Sequence, residues 1–485
     1  MAAEDVKTKA LLGEARKAAD AILEYSEKGK NILAVSHLDA DGLSAAGIMG
    51  ASLARVGAAF RLRILRWFDE DAAKAVASEK DCLPILTDMG SGYLDLLDEK
   101  MKGKPLVILD HHQPTGKADE AFIHVNPHLH SIDGAKNLSG AGAAYLVAKA
   151  ISERNVDLAC IGVVGALGDL QDRSHDRSLE GVNSIIVEDA VGAGYLQVET
   201  DLLFFGRETR PIHKALAYTT SPFIPGISGE EDKSLAFLMG LGVKPKAGDK
   251  WRALRDLSKE EKQAIFSNLS DYLVSKGFRS DVAMRLLGTV YVLKREEPWT
   301  PLRDAREFAL LLNATGRTGR PGLGVAICMG DRGRCLEEAS GALEEYRGTI
   351  TRYLRWLDEN PDRIEEKESI YILHGGQTID EKMTSTISTI LSTNMPNMEK
   401  PIIAYSYIPE QNLIKVSART VETLTSKGFN IGEILRVAAE KHSGNGGGHD
   451  IAAGAQVPSG EREQFLEDVN ELVNDGLRRL KEAGN

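Results

Sequence analysis

Apolar runs that stop at an acid or an imidazole restrict the fold of this chain more than any other feature. NILAVSH (31–37) leads into His37-Leu38-Asp39-Ala40-Asp41, and LPILTDMG (83–90) carries Asp88. LVILDHH (106–112) ends in Asp110-His111-His112, and CIGVVGALGDLQD (160–172) carries Asp169 and Asp172. Runs this apolar suit strands buried on both faces, the condition of a parallel sheet covered by helices. A sheet interior cannot hold unpaired carboxylates, so the polar groups belong at the strand tips. Helical periodicity fills the intervals, as in LSAAGIMGASLARVG (43–57) and SGAGAAYLVAKAISER (139–154). FRLRIL (60–65) and FIHVNPH (122–128) add two strand patterns, and the whole reads as alternating α/β.

Ligands of open parallel sheets bind beyond the carboxyl ends of the strands. The four polar clusters are therefore expected to converge on one crevice. Carboxylates gathered there must either take up protons or bind cations. Asp oxygen mixed with His nitrogen suits Mn²⁺ better than an all-oxygen Mg²⁺ site, with Zn²⁺ and Fe²⁺ as alternatives. The number of ligands points to two ions. Two ions about 3.5–4 Å apart form a recurrent device for phosphoester cleavage. Singly, each cluster has a plainer reading: Asp39 and Asp41 as helix caps, Asp88 as a turn residue, Asp169 as the start of a loop. Four such clusters in succession favour a shared site. His124, His128 and His130 read as surface or supporting histidines, with His128 the best placed to face the crevice.

The rest of the chain changes character. Residues 196–300 read as a mostly helical insertion, with SKEEKQAIFSNLSDYLVSKG (258–277) its clearest helix. Residues 301–335 return to the first lobe. There LLNATGRTGRPGLG (311–324) sets Arg317 and Arg320 in a flexible loop, suited to phosphate contact or to plain solvation. Residues 336–364 form a connecting helix and linker. Residues 365–485 read as a smaller α/β lobe, with strands at 369–375, 401–408 and 412–419 and helices at 383–393, 431–442 and 461–484. Within it Gly446-Gly447-Gly448-His449 offers amides that can approach a phosphate and an imidazole donor, or else a loop. Arg419, ending NLIKVSAR, is a second phosphate contact or an exposed strand end.

The net charge of −12 argues against a protein that coats nucleic acid through a broad basic face, although bound metal would cancel several carboxylates. The four cysteines form no C-x-x-C pair and read as free thiols of a reducing compartment. No run approaches the ~18 apolar residues of a membrane span. The first residues form a charged helix without a signal peptide's apolar core. A cytoplasmic protein without membrane contact is expected.

HLDADG (37–42), Asp88 in LTDMGSG, DHH (110–112) and GALGDLQD (165–172) resemble, in order, the four motifs of the DHH phosphoesterases. SGNGGGHDIAAGA (443–455) resembles the GGGH signature of the domain that accompanies them. Within that superfamily the chain looks most like the archaeal RecJ-like nucleases, including the GINS-associated type, on LRDAREFALLLNATGRTGRPGLG and the H-x-D-x-D-G spacing. The resemblance implies a two-lobed α/β architecture: a parallel-sheet catalytic lobe with a helical insertion, a long connecting helix and a smaller substrate-binding lobe. It implies that His37 and Asp39 hold one metal ion, that Asp41, His111 and Asp169 hold another, and that Asp88 bridges both. His112 would face the scissile phosphate, Asp110 would orient the His pair, and Gly447, Gly448 and His449 would grip a substrate phosphate. The implied activity is exonucleolytic hydrolysis of single-stranded DNA, extending to RNA, with Mn²⁺ or Mg²⁺, in replication or repair. GINS and the replicative helicase are the implied partners. Two alternatives stay open: a replisome scaffold with secondary nuclease activity, and a hydrolase of short oligonucleotides or cyclic dinucleotides.

Overall fold

Five apolar segments form one sheet: β1 (Asn31–His37), β2 (Phe60–Leu65), β3 (Cys82–Thr87), β4 (Leu106–Leu109) and β5 (Phe122–Val125). All neighbours are parallel and the spatial order is β2-β1-β3-β4-β5. From β1 the chain runs out to β2 on one side and then to β3 on the other. The two connections part between β1 and β3, which is where a crevice opens in a doubly wound sheet. Leu33, Val35, Leu86, Leu106 and Ile108 join one core with residues of helices Glu70–Ser78 and Leu94–Met101. These alternate positions share one face of the sheet. Helices Ala2–Glu27, Ala40–Arg55 and Gly140–Ile151 also lie against the strands.

The computed structural model describes residues 2–219, 222–392, 395 and 400–483. It divides into two compact units, Met1–Leu343 and Glu344–Asn485. The ends of two expected helices, 393 and 484, lie outside the described residues. No helix among those described is long and apolar enough to cross a membrane.

The fourth apolar run corrects the sequence reading, which took it for a strand ending at Asp169. It is a helix, Ala159–Gly168, buried from Ala159 to Leu167. Apolar on every side, it gives no periodicity that separates it from a buried strand. Its glycines allow close approach: a Cβ on Gly165 would lie 2.3 Å from Ala141 Cβ, and one on Gly168 would lie 2.5 Å from Ala40 Cβ. Arg317 and Arg320 also differ from expectation. Arg317 ends the helix Ala305–Arg317, and Arg320 caps the helix Pro321–Cys328, so no flexible loop separates them.

The middle segment is not purely helical. Strands Leu196–Leu202 and Leu287–Leu293 pair antiparallel and bracket helices that include Glu231–Gly240 and Lys259–Ser275. Leu216, Leu238, Ile265, Leu269 and Leu273 give this segment a core of its own. One helix, Arg334–Glu359, then leads into the second unit.

The second unit is a six-stranded sheet in the order Ile364–Glu366, Tyr371–Gly376, Ile402–Ile408, Leu413–Arg419, Ala452–Pro458, Asn445–Gly448. Helix Ile431–Lys441 and the last helix, Arg462–Ala483, share its core through Leu435, Ala438, Phe465 and Val469. The glycine run is thus an edge strand, not a loop.

Candidate metal centre

Strand register assembles the site. Ser36 pairs with Thr87, Thr87 with Leu109, and Leu109 with Val125, so these residues form one row across the sheet. The next residue along each strand is His37, Asp88, Asp110 and Asn126. Adjacent strands lie ~4.8 Å apart, so the four side chains start as neighbours. The row is locked by Asp88 N–H donating to Leu109 O (2.9 Å) and Asp110 N–H to Val125 O (3.1 Å). Asp88 leaves its strand with φ 56°, a left-handed conformation that Asp tolerates better than most residues.

Asp88 lies between two sets of side chains. On one side His37 Nδ1 is 2.9 Å from Asp39 Oδ2 and 3.8 Å from Asp88 Oδ2. On the other, His111 Nε2 is 3.2 Å from Asp88 Oδ1, 3.7 Å from Asp41 Oδ2 and 3.8 Å from Asp169 Oδ2. Asp39 also caps the helix Ala40–Arg55, accepting from Gly42 N–H at 3.0 Å, so its plainer reading holds as well. Asp41 sits on the start of helix Gly140–Ile151 and accepts from the N–H groups of Gly140 (2.6 Å) and Ala141 (3.0 Å). Helix N-termini favour anionic partners. Asp169 is the residue at which helix Ala159–Gly168 ends.

Behind these groups lies a buried polar network. His111 Nδ1 donates to Gly134 O at 2.8 Å, which aims Nε2 at the carboxylates, where it holds a proton in the metal-free state and would offer its lone pair to an ion. Asp110 is fully buried and accepts from the N–H groups of Ser91 (2.9 Å) and His111 (2.8 Å). Its Oδ1 also holds His112 Nδ1 at 2.8 Å. The His112 side chain is 41% exposed, so its ring is fixed at one end and open to solvent. Asn126 Nδ2 donates to Ser91 Oγ (2.8 Å) and His112 O (2.9 Å), and Ser91 Oγ meets His124 Nε2 at 2.8 Å. His124 therefore joins the network through its ring, and His128 through its N–H, which donates to Asn126 Oδ1 at 2.9 Å. Asp172 stands apart: Arg306 (2.6 Å) and Arg177 (3.1 Å) hold it in an ion pair.

The electrostatics call for a cation. Burial, with Asp169 and Asp39 nearby, pushes the Asp41 carboxyl up to about 6 against the pull of His111. Burial and the charges of Asp41 and Asp39 raise Asp88 well above the carboxylate range. Burial opposes ionisation of Asp39 too, but His37, the Gly42 N–H and Arg317 outweigh it and hold the carboxyl low. Asp110 is likewise held low, against burial, by His112 and His111. Burial would discharge His111, yet Asp169, Asp88 and Asp41 outweigh it and raise its pKa well above the ordinary value. A divalent ion would replace that proton and relieve the repulsion. Donor atoms of His37, Asp39 and Asp88 lie within 4.8 Å of one another, as do those of Asp88, Asp110, His111 and His112. The mixed N and O donors fit a divalent transition metal.

In the second unit His449 follows the edge strand, and its N–H donates to Ala452 O at 2.9 Å. Gly447 and Gly448 adopt φ 154° and 141°, and a side chain on Gly447 would meet no atom within 4 Å. Arg419 pairs in register with Ala452, so it lies at the same end of the sheet as His449. Its guanidinium is tied to Thr389 Oγ1 (2.9 Å) and Ala418 O (2.8 Å).

Comparison with known proteins agrees with this architecture. Residues 204–287 match the DHH-CID domain and residues 373–475 the DHHA1 domain. An uncharacterised protein of Methanocaldococcus jannaschii is 30% identical over 454 residues, covering 92% of this chain and 94% of its own length. The single-stranded-DNA-specific exonuclease RecJ of Thermus thermophilus is 27% identical over 240 residues, which cover 46% of this chain but only 35% of that protein. The crystal structure of the same RecJ with Mn²⁺ aligns with a TM-score of 0.58 at 18% identity, covering 95% of this chain and 55% of that one. CDC45 from Entamoeba histolytica aligns at 0.63 and 11% identity, covering 96% and 99%. The fold is that of the DHH superfamily of hydrolases. The chain belongs to the DHH family as a RecJ-like member.

Proposed function

We propose that this protein is a metal-dependent exonuclease that hydrolyses phosphodiester bonds of single-stranded DNA, and of RNA as well. The observation that carries the reading is Asp88 set between two histidine–carboxylate sets, His37 with Asp39 and His111 with Asp41 and Asp169. When bound there, two divalent ions, Mn²⁺ or alternatively Mg²⁺, supply an activated water and charge compensation for the phosphate. His112, oriented through Nδ1 by Asp110, keeps Nε2 for a phosphate oxygen or for protonating the leaving oxygen. Arg317, near enough to hold the Asp39 carboxyl down, offers a charged phosphate contact. In the second unit, Gly447, Gly448, His449 and Arg419 bind a further substrate phosphate. The insertion 196–300, with its own core, is the docking element for GINS and the replicative helicase. Titration of the full chain with purified GINS checks that part, and no binding removes it.

The reading is tested with single strands of DNA and RNA labelled at either end and incubated with Mn²⁺, Mg²⁺ or EDTA. Stepwise mononucleotide release that requires metal is expected, and the label retained longest gives the polarity. Cleavage of dinucleotides alone would instead favour the short-oligonucleotide hydrolase. No cleavage by folded protein with any metal would leave the scaffold reading.

A further inference from the structure

Gln171 is buried two residues beyond Asp169. Its Nε2 donates to Asp169 Oδ2 at 3.0 Å and to Gly134 O at 2.9 Å, with Leu138 O farther off at 3.3 Å. Gly134 O is also the acceptor that faces His111 Nδ1. The other end of the amide is fixed, because Gln171 Oε1 accepts from Asn183 Nδ2 at 2.7 Å. Asn183 lies in the first turn of helix Val182–Gly192, where its own N–H donates to Asn137 O at 2.8 Å. This network assigns the direction of the amide: nitrogen toward Asp169 and Gly134, oxygen toward Asn183.

We propose that Gln171 is a positioning residue for the ion held by Asp41, His111 and Asp169, and that Asn183 acts through it. The inference rests on the two-ion reading above. Asp169 lies at the end of a helix, with its side chain 29% exposed, and faces other carboxylates across His111. Left alone, its carboxylate would swing toward solvent. The Gln171 N–H pins Oδ2, and the same nitrogen engages the carbonyl that selects the His111 tautomer. One amide thereby fixes the aim of two ligands of one ion. Removing such a partner of a metal ligand lowers affinity about 10–100-fold. None of the hydrogen bonds of Gln171 reaches His37 or Asp39, so the loss is confined to one ion.

The test counts Mn²⁺ ions bound to the full chain, reading free Mn²⁺ by electron paramagnetic resonance. The wild type binds two ions. Gln171→Met, which keeps the volume and removes both donors, keeps one ion at wild-type affinity and weakens the other about 10–100-fold. Asn183→Ala leaves Gln171 in place but frees its amide to turn, so it weakens the same ion by less. The double variant is no worse than Gln171→Met, as expected for residues acting in series. Two ions with unchanged affinity in Gln171→Met would overturn the inference while the two-ion reading stands. Equal weakening of both ions would also overturn it, being the mark of general disorder. If Gln171→Met does not fold, Asn183→Ala decides by the same criteria. Fewer than two ions on the wild type would overturn the reading and this inference together.

Discussion

Asp88 carries the largest share of the proposed chemistry at the scale of single residues. It adopts a left-handed backbone, and its two oxygens face different histidines. Burial beside Asp41 and Asp39 makes its charge unfavourable without metal. Asp88→Asn is therefore expected to abolish Mn²⁺ binding while stabilising the metal-free protein by about 1 kcal/mol, a trade common at functional sites. Urea denaturation in EDTA measures this, and a variant less stable than wild type would contradict it. The candidate ligands were legible as a cluster, because an acid or imidazole ending an apolar run breaks a strong pattern. Ser91, Asn126 and Gln171 were not assigned roles in advance, and His124 was read only as a surface or supporting histidine. Ser91 and Gln171 bond to residues 19 and 37 positions away, and ordinary polar residues leave no periodic trace of such pairings.

Glycines set how closely the elements approach the centre. A Cβ on Gly140 would lie 2.6 Å from Asp88 Cβ, and one on Gly316 would lie 1.8 Å from Leu38 O. Gly140→Ala is expected to push the helix N-terminus off Asp88 and Asp41, lowering stability by about 1–3 kcal/mol as overpacking does. Mn²⁺ affinity should fall with it in a calorimetric titration. Gly13→Ala, where a side chain meets nothing within 4 Å, is the control and should change neither quantity for the worse. At this scale the sequence reading was right about the five parallel strands and wrong about the run 160–172. Alternating burial identifies a strand, but a helix buried on all sides hides its period. The strand at the glycine run was not visible for a related reason: without side chains it shows neither alternation nor β-propensity, yet main-chain pairing with Ala452–Pro458 makes it a strand.

For the molecule as a whole, the proposed centre is expected to couple metal binding to pH. Asp41 at about 6 is raised, so the metal-free fold gains from its protonation as pH falls from about 6 toward its unfolded value near 4. His111 is also raised, so its pairing with the carboxylates is complete below about 6.5 and is lost as pH climbs through the raised value. Metal needs Asp41 charged and His111 Nε2 free, so binding near neutral pH releases protons. Calorimetry in buffers of different ionisation enthalpy should give heats that scale with the buffer, and Mn²⁺ affinity should fall below pH about 6. Buffer-independent heats would contradict the coupling. The α/β plan of both ends of the chain was readable from alternating patterns. The sheet Leu196–Leu202 with Leu287–Leu293 was not, because its two strands lie far apart in sequence and the helices between them dominate the pattern.

The most direct measurement is anomalous diffraction from crystals grown with Mn²⁺. Two peaks are expected on either side of Asp88, one beside His37 and Asp39 and the other beside Asp41, His111 and Asp169. A single peak, or peaks away from Asp88, would contradict the shared two-ion centre.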